Sequence, residues 1–230
     1  MDIRTLPEAE REIYNRLRSR HQLYFEPLKL GDDTVRLLKI ADLEEFLDGK
    51  DPFADVSEFP FWVKLWESAV ALASLLHDLP HGNGRRLLEL GAGLGAPGLG
   101  AAFNGYDVTI TDYEDIILDF QRVSIAASGL SGLVRCEMLD WLNPPEMEPF
   151  DVLTGAEILF REEFFQPLLN IFLSFLKPDG VILLAHDSGR QSLPKFLELA
   201  REHFVIDGKV RRFRKEHKDV TIIINRLRRK

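Results

Sequence analysis

The run Leu87-Leu88-Glu89-Leu90-Gly91-Ala92-Gly93-Leu94-Gly95-Ala96-Pro97-Gly98 limits what this chain can become more than any other stretch. It reads as a buried strand that empties, without a spacer, into a glycine-rich turn and then a helix. Glycines at 91, 93 and 95 reach backbone angles closed to other residues, and without a Cβ they let a ligand lie against the main chain. Such a unit belongs in a parallel α/β sheet and holds a nucleotide-like ligand at the carboxyl end of its strand. Glu89, just inside the strand end, turns the reading away from a pyrophosphate, because a carboxylate there suits an ammonium better than it suits phosphates. Val108-Thr109-Ile110-Thr111-Asp112 is the next strand-like run, and its terminal acid can accept hydrogen bonds from paired ribose hydroxyls.

The pattern then repeats. Strands are expected over residues 86–90, 107–111, 134–138, 150–154 and 181–185, with helices over 97–104, 116–128, 162–176 and 193–202 between and after them. Residues 204–213 and 220–227 read as two closing strands with no helix between them. Strand–helix alternation predicts a parallel sheet with right-handed crossovers, here ended by an antiparallel hairpin. Ahead of it, residues 7–21 read as an amphipathic helix with Thr5 and Glu8 in capping-box spacing and Ile13, Tyr14 and Leu17 on one face. A hairpin over 23–30 and 34–40 follows, turning at Gly31-Asp32-Asp33. The acidic stretch 42–58 reads as a connecting loop and a candidate lid. After it, Phe59-Pro60-Phe61-Trp62-Val63-Lys64-Leu65-Trp66 leads into a helix through Leu79. These boundaries divide the chain into a cap, 1–58, and a main domain, 59–230.

Glu89, the three glycines and Asp112 together resemble the cofactor site of class I S-adenosylmethionine-dependent methyltransferases. The resemblance implies a Rossmann-like seven-stranded α/β sheet with an antiparallel C-terminal hairpin, carrying here an N-terminal helix and hairpin extension. An NAD-type Rossmann domain shares the spacing, but Pro97 after the turn and the order of the later segments fit the methyltransferase plan better. Beyond the third strand stands Leu139-Asp140-Trp141, where Asp140 could accept the adenine amino group and Trp141 pack on the ring; Asp140 would serve equally as a turn residue before Asn143-Pro144-Pro145.

After the fourth strand comes Gly155-Ala156-Glu157-Ile158-Leu159-Phe160. A tryptophan-led helix, the glycine turn, Asp-Trp and then an acid-x-x-aromatic element, from about Phe59 to about His186, resemble the protein lysine methyltransferases often called methyltransferase family 16. The resemblance places Trp66 and Ala156 at the cofactor and Glu157 and Phe160 at the reacting amine; Trp62 reads as a wall of the acceptor channel, and His186, at the end of the fifth strand, as a substrate contact. Where the family carries Asp-x-x-Tyr, this chain has Glu157 and Phe160, which keeps a charge and an aromatic plane but lengthens one side chain and deletes one hydroxyl. For a lysine acceptor the chemical demand is a neutral amine, against an ordinary pKa of about 10.4. An aromatic channel favours the neutral form by desolvation, and a nearby carboxylate orients it. Glu157 as an acid at the start of the following helix is the competing reading.

Composition narrows the partners. No apolar run reaches the ~20 residues a bilayer span needs, and Met1-Asp2-Ile3-Arg4 lacks a secretory core, so a cytoplasmic protein is expected; a monomer is expected besides. Cys136 is the single cysteine, read as a structural thiol, and no ligand spacing suggests a metal; His77 and His81 read as solvated loop residues. From Gly208 to Lys230 ten Lys and Arg face Glu216 and Asp219, a balance of +8 that leaves -16 of the net -8 charge for the rest. An acidic body argues against nucleic acid, and cations on edge strands guard against edge-to-edge aggregation. A protein substrate is favoured. A small-molecule N-methyltransferase and a cofactor-binding but catalytically inert interaction module are the alternatives.

Overall fold

The computed structural model describes residues 2–42, 60–215 and 218–230, the side chains of Arg214, Lys215 and Lys218 excepted. The expected lid at 42–58 lies, beyond Asp42, outside the described residues. Helix α1 spans Glu8–Arg18 and starts at Pro7 with no side-chain cap. The expected capping box is not formed: the Thr5 hydroxyl donates instead to the Asp2 carbonyl, closing a short 3-10 turn ahead of the proline. Tyr14 and Leu17 are buried, as the helical spacing predicts.

Strands β1 (Leu23–Leu30) and β2 (Asp33–Ile40) pair antiparallel in register Leu30↔Asp33. Gly31 takes φ 55° in the tight turn between them, an angle that favours glycine. This hairpin stands apart from the main sheet, and its free backbone donors need partners. The N–H groups of Arg36 and Leu38 donate to Ser128 Oγ and Ser124 Oγ, each at 2.9 Å. Leu38, Tyr14 and Leu17 then fill one apolar cluster with Phe120 and Val123, so the N-terminal extension packs on the main body.

Helix α2 (Glu67–His77) ends two residues before the expected Leu79, and His77 is not solvated: its ring reaches Asp33 at 3.1 Å and Asp78 at 3.3 Å. There follow β3 (Arg86–Glu89), α3 (Ala96–Phe103), β4 (Asp107–Asp112), α4 (Asp115–Ala127), β5 (Val134–Met138) and β6 (Phe150–Ala156). The chain closes with α5 (Phe165–Phe175), β7 (Leu176–Asp187), α6 (Ser192–Ala200), β8 (Phe204–Lys215) and β9 (Lys218–Arg229). The sheet order is β5-β4-β3-β6-β7-β9-β8, with β3 to β7 parallel and β9 antiparallel to both its neighbours. That is the expected seven-stranded architecture.

Pleat alternation sorts the core into two layers. Leu87, Val108, Val152 and Leu183 pack with α2 and α3 on one face. Leu88, Leu153, Ile182 and Leu184 pack with α5 and α6 on the other. Helix α3 is built from Ala, Pro, Gly and Leu and is buried from Ala96 to Ala102, which lets it lie close against α2; a Cβ on Gly100 would come 2.9 Å from the Ala73 carbonyl. Strand order reverses between β3 and β6, so the crevice for a ligand opens beyond the carboxyl ends of those two strands.

Candidate active site

Glu89, the last residue of β3, points to the α2–α3 side of the sheet and is 1% exposed. Its Oε2 accepts the Gly98 N–H at 2.7 Å, in the first turn of α3, where helix-terminal donors are open. Burial pushes its carboxyl up to about 8, against the lowering pull of that one hydrogen bond. No cation is paired with it among the described residues, so the site holds an acid whose ionised form lacks a counter-charge.

The chain between β3 and α3 runs through Gly91, Gly93 and Gly95 at φ 56°, 52° and 76°. The Gly93 N–H donates to Asp112 Oδ2 and the Tyr113 N–H to Asp112 Oδ1, both at 2.8 Å. Asp112 is thereby fixed at the end of β4, its carboxyl raised by burial against those two donors. Gln121 on α4 clamps the same turn from below, Nε2 to the Gly93 carbonyl at 2.9 Å. Gln121 and Gly98 were not singled out from sequence; a glutamine in an apolar helix face, and a second small residue one turn into α3, are the only signals of them.

Around this turn lies a cavity of about 970 Å³. Glu89, Asp112, Asp140, Trp141 and Ala156 line it, as do Trp62, Trp66, Glu157 and Phe160, so the structure gathers the expected site residues with one exception. Trp66 donates its indole N–H to the Phe61 carbonyl at 2.9 Å, with the Lys64 ammonium 4.1 Å from the centre of its ring. Trp62 meets Phe120 edge-on at 5.0 Å. Trp141 meets Phe164 edge-on at 5.5 Å and covers Gly91, whose Cβ would fall 3.0 Å from the indole. Asp140 carries turn bonds on both oxygens, to the Leu142 N–H at 2.9 Å and Asn143 Nδ2 at 3.1 Å.

The exception is His186. It is fully buried, does not line the cavity, and neither ring nitrogen has a partner among the described residues. Pleat parity puts it there: His186 lies on the face of Ile182 and Leu184, paired across to Ile223 of β9, instead of at the substrate edge. Burial, with a smaller contribution from the Arg190 charge, pushes its pKa down to about 3.

Glu157 follows β6 in the left-handed region, φ 58°, and heads no helix. Its Oε1 accepts the Asp187 N–H at 2.7 Å, and Oε2 accepts Arg190 Nε at 3.0 Å and Nη2 at 2.5 Å. Sequence reasoning missed Arg190, which stands 33 positions away. Phe160, 44% exposed, forms the outer wall with Phe164 at 6.0 Å. Cys136, on β5, is half-buried, and the described residues contain no cluster suited to a metal ion.

A parallel sheet with a glycine turn at its switch point, a buried acid beneath that turn and a second acid at the next strand end define a class I methyltransferase. The chain belongs to the lysine methyltransferase family, whose model matches residues 60–203. It is 33% identical over 147 residues to protein N-lysine methyltransferase METTL21A of Xenopus tropicalis, covering 62% of this chain and 68% of that protein. It is 28% identical to the histidine protein methyltransferase 1 homolog of Dictyostelium discoideum, over 81% of this chain and 56% of that protein. Among solved structures, that of P. horikoshii TYW2 in complex with MeSAdo shares the fold at TM-score 0.58 and 11% identity, over 94% of this chain and 80% of the other.

Proposed function

We propose that this chain transfers a methyl group from S-adenosylmethionine to the side-chain amine of a lysine in a protein. The observation that carries the proposal is Glu89: a buried, uncompensated carboxyl on the wall of the family-matched cavity, where a ligand ammonium would supply the missing charge. Asp112 offers its remaining lone pairs to ribose hydroxyls, and the Trp141 ring and Ala156 give flat and small walls for the adenine. At the cavity's upper end of the ligand-pocket size range there is room for both cofactor and acceptor side chain.

When bound, the cofactor supplies an electrophilic methyl on a sulfonium, so the protein's work is alignment, desolvation and charge stabilisation. Phe160 and Trp62 form apolar walls that favour an uncharged amine. An amine nitrogen that took the methyl would carry the positive charge given up by the sulfonium until it lost a proton to solvent. Glu157 is the acid placed to stabilise that charge. Arg190 already balances it, so Glu157 acts as an oriented acceptor and not as a lone base. Residues 1–58 form the cap in this reading, and the protein acts as a monomer in the cytoplasm.

The test is incubation of the purified chain with methyl-labelled S-adenosylmethionine and lysate, followed by hydrolysis of the protein fraction. Label in methyl-lysine is the expected result. Label in methyl-histidine, or only in small molecules, overturns the assignment of the acceptor.

A further inference from the structure

We infer that the outer strand β8 is the docking edge for an acidic segment of the protein substrate. The inference rests on the lysine-methyl reading of the cavity. Strand β8 ends the sheet, so one side of its backbone has no strand partner among the described residues. Along this edge Lys209, Val210, Arg211 and Arg212 are all exposed, Val210 at 57%. Arg211 and Arg212 form no ion pair among the described residues and Lys209 feels Asp207 only through space, in contrast to Arg226 and Arg228 farther down the hairpin, which pair with Asp207 directly. In a body that carries -16 before residue 208, this is where a polyanionic segment meets attraction instead of repulsion.

Register ties the patch to the site. Lys209 pairs with Ile224, Ile224 with Ala185, and Ala185 with Ala156 on the cavity wall. Arg211 pairs with Ile222, which pairs with Asp187, whose N–H is held by Glu157. The cations therefore stand level with the catalytic rim, three strand steps from β6, or about 14 Å away. An extended chain crosses that distance in about four residues. Lys209 and Arg211 lie on one face of the sheet and Arg212 on the other, so a strand added beside β8 would meet cations on both sides. A continuous run of Asp or Glu fits this edge, where an alternating run would leave the cations of one face unmatched. The partner is thus an acidic stretch beginning about four residues from the acceptor lysine.

The test uses the full chain and a fluorescent synthetic peptide: one lysine, with glutamate runs starting four residues to either side. A copy with glutamine in place of glutamate and an oligo-uridine RNA of similar length serve as comparisons. Binding is read by anisotropy at low and high salt. Expected is binding of the acidic peptide about tenfold or more tighter than the glutamine copy at low salt, with the advantage shrinking as salt screens it. The triple variant Lys209→Glu/Arg211→Glu/Arg212→Glu should lose that advantage, and so should the milder triple change to Gln, which guards against misfolding. Arg201→Glu, at the opposite end of the sheet, should keep it. Equal binding of the two peptides, an unaffected triple variant, or tighter binding of the RNA overturns the proposal. The lysate labelling above decides the other reading separately: methyl-lysine formed equally well by the triple variant removes the docking edge and leaves the reaction, whereas acidic-peptide binding without methyl-lysine removes the reaction.

Discussion

Replacing Glu89 by Gln tests the centre of the site, because it removes a charge while keeping an acceptor for the Gly98 N–H. In the unfolded chain this carboxyl titrates near 4.5 and in the folded protein near 8. The folded state therefore holds the proton longer, and stability is lost as pH rises from 4.5 through about 8. Integrated over that interval, the loss has a ceiling of about 5 kcal/mol. Glu89 lines the cavity, where water can relieve part of the burial, so about 2–3 kcal/mol is the working expectation. For a chain of this size that corresponds to about 5–10 °C in Tm. Without ligand, the variant should melt higher than the parent by about that amount at pH 9, and the two should converge near pH 5. Scanning calorimetry across the range measures it, and a gap that does not change with pH would refute the reasoning. The same proton gives a second readout. At pH 7 the parent should release close to one proton when a ligand ammonium settles beside Glu89, seen as a binding enthalpy that depends on the buffer, while the variant releases none and binds about tenfold or more weakly.

Gly98→Ala would place a Cβ 2.5 Å from Ile110 and 2.7 Å from Glu89 Oε2, and should cost about 1–3 kcal/mol in urea unfolding. Glu157→Ala leaves Arg190 without its partner; cofactor affinity by calorimetry should stay within about twofold while turnover falls about tenfold or more, and intact turnover would remove Glu157 from the mechanism. His186→Leu removes a buried imidazole whose folded pKa of about 3 lies below its ordinary 6.5, so the parent loses stability as pH falls below 6.5. The variant should gain about 2 kcal/mol on the parent at pH 5 relative to pH 8, read from urea midpoints; a constant difference would place His186 in contact with solvent.

Much of the frame was legible because it depends on short-range pattern. Short strand-like runs bounded by turn signals, apolar in β3 and β4 and alternating in β5, placed these strands to within a residue, and the absence of a helix between the last two strands disclosed the hairpin. Glu89 and Asp112 were legible for the same reason: each is the residue on which a strand ends. The element after β6 was only partly legible, because the partners of its acid lie in distant chain. Glu157 is an acid in any reading, but its oxygens are committed to Arg190 and the Asp187 N–H, about thirty positions on, and nothing local announces that. His186 was placed at the rim by its position at a strand end, yet pleat parity and pairing with β9 put its ring in the core.

By itself, then, the sequence determined the order of strands and helices, the glycine turn and the two acids that flank it, since each follows from periodicity and backbone freedom within a few neighbouring residues. Tertiary structure decided what those acids experience. Only packing makes Glu89 a group that titrates near 8, ties β2 to α4 through Ser124 and Ser128, and neutralises Glu157 with Arg190. Desolvation and charge pairing are set by which surfaces close on one another, and residues far apart in the chain supply them.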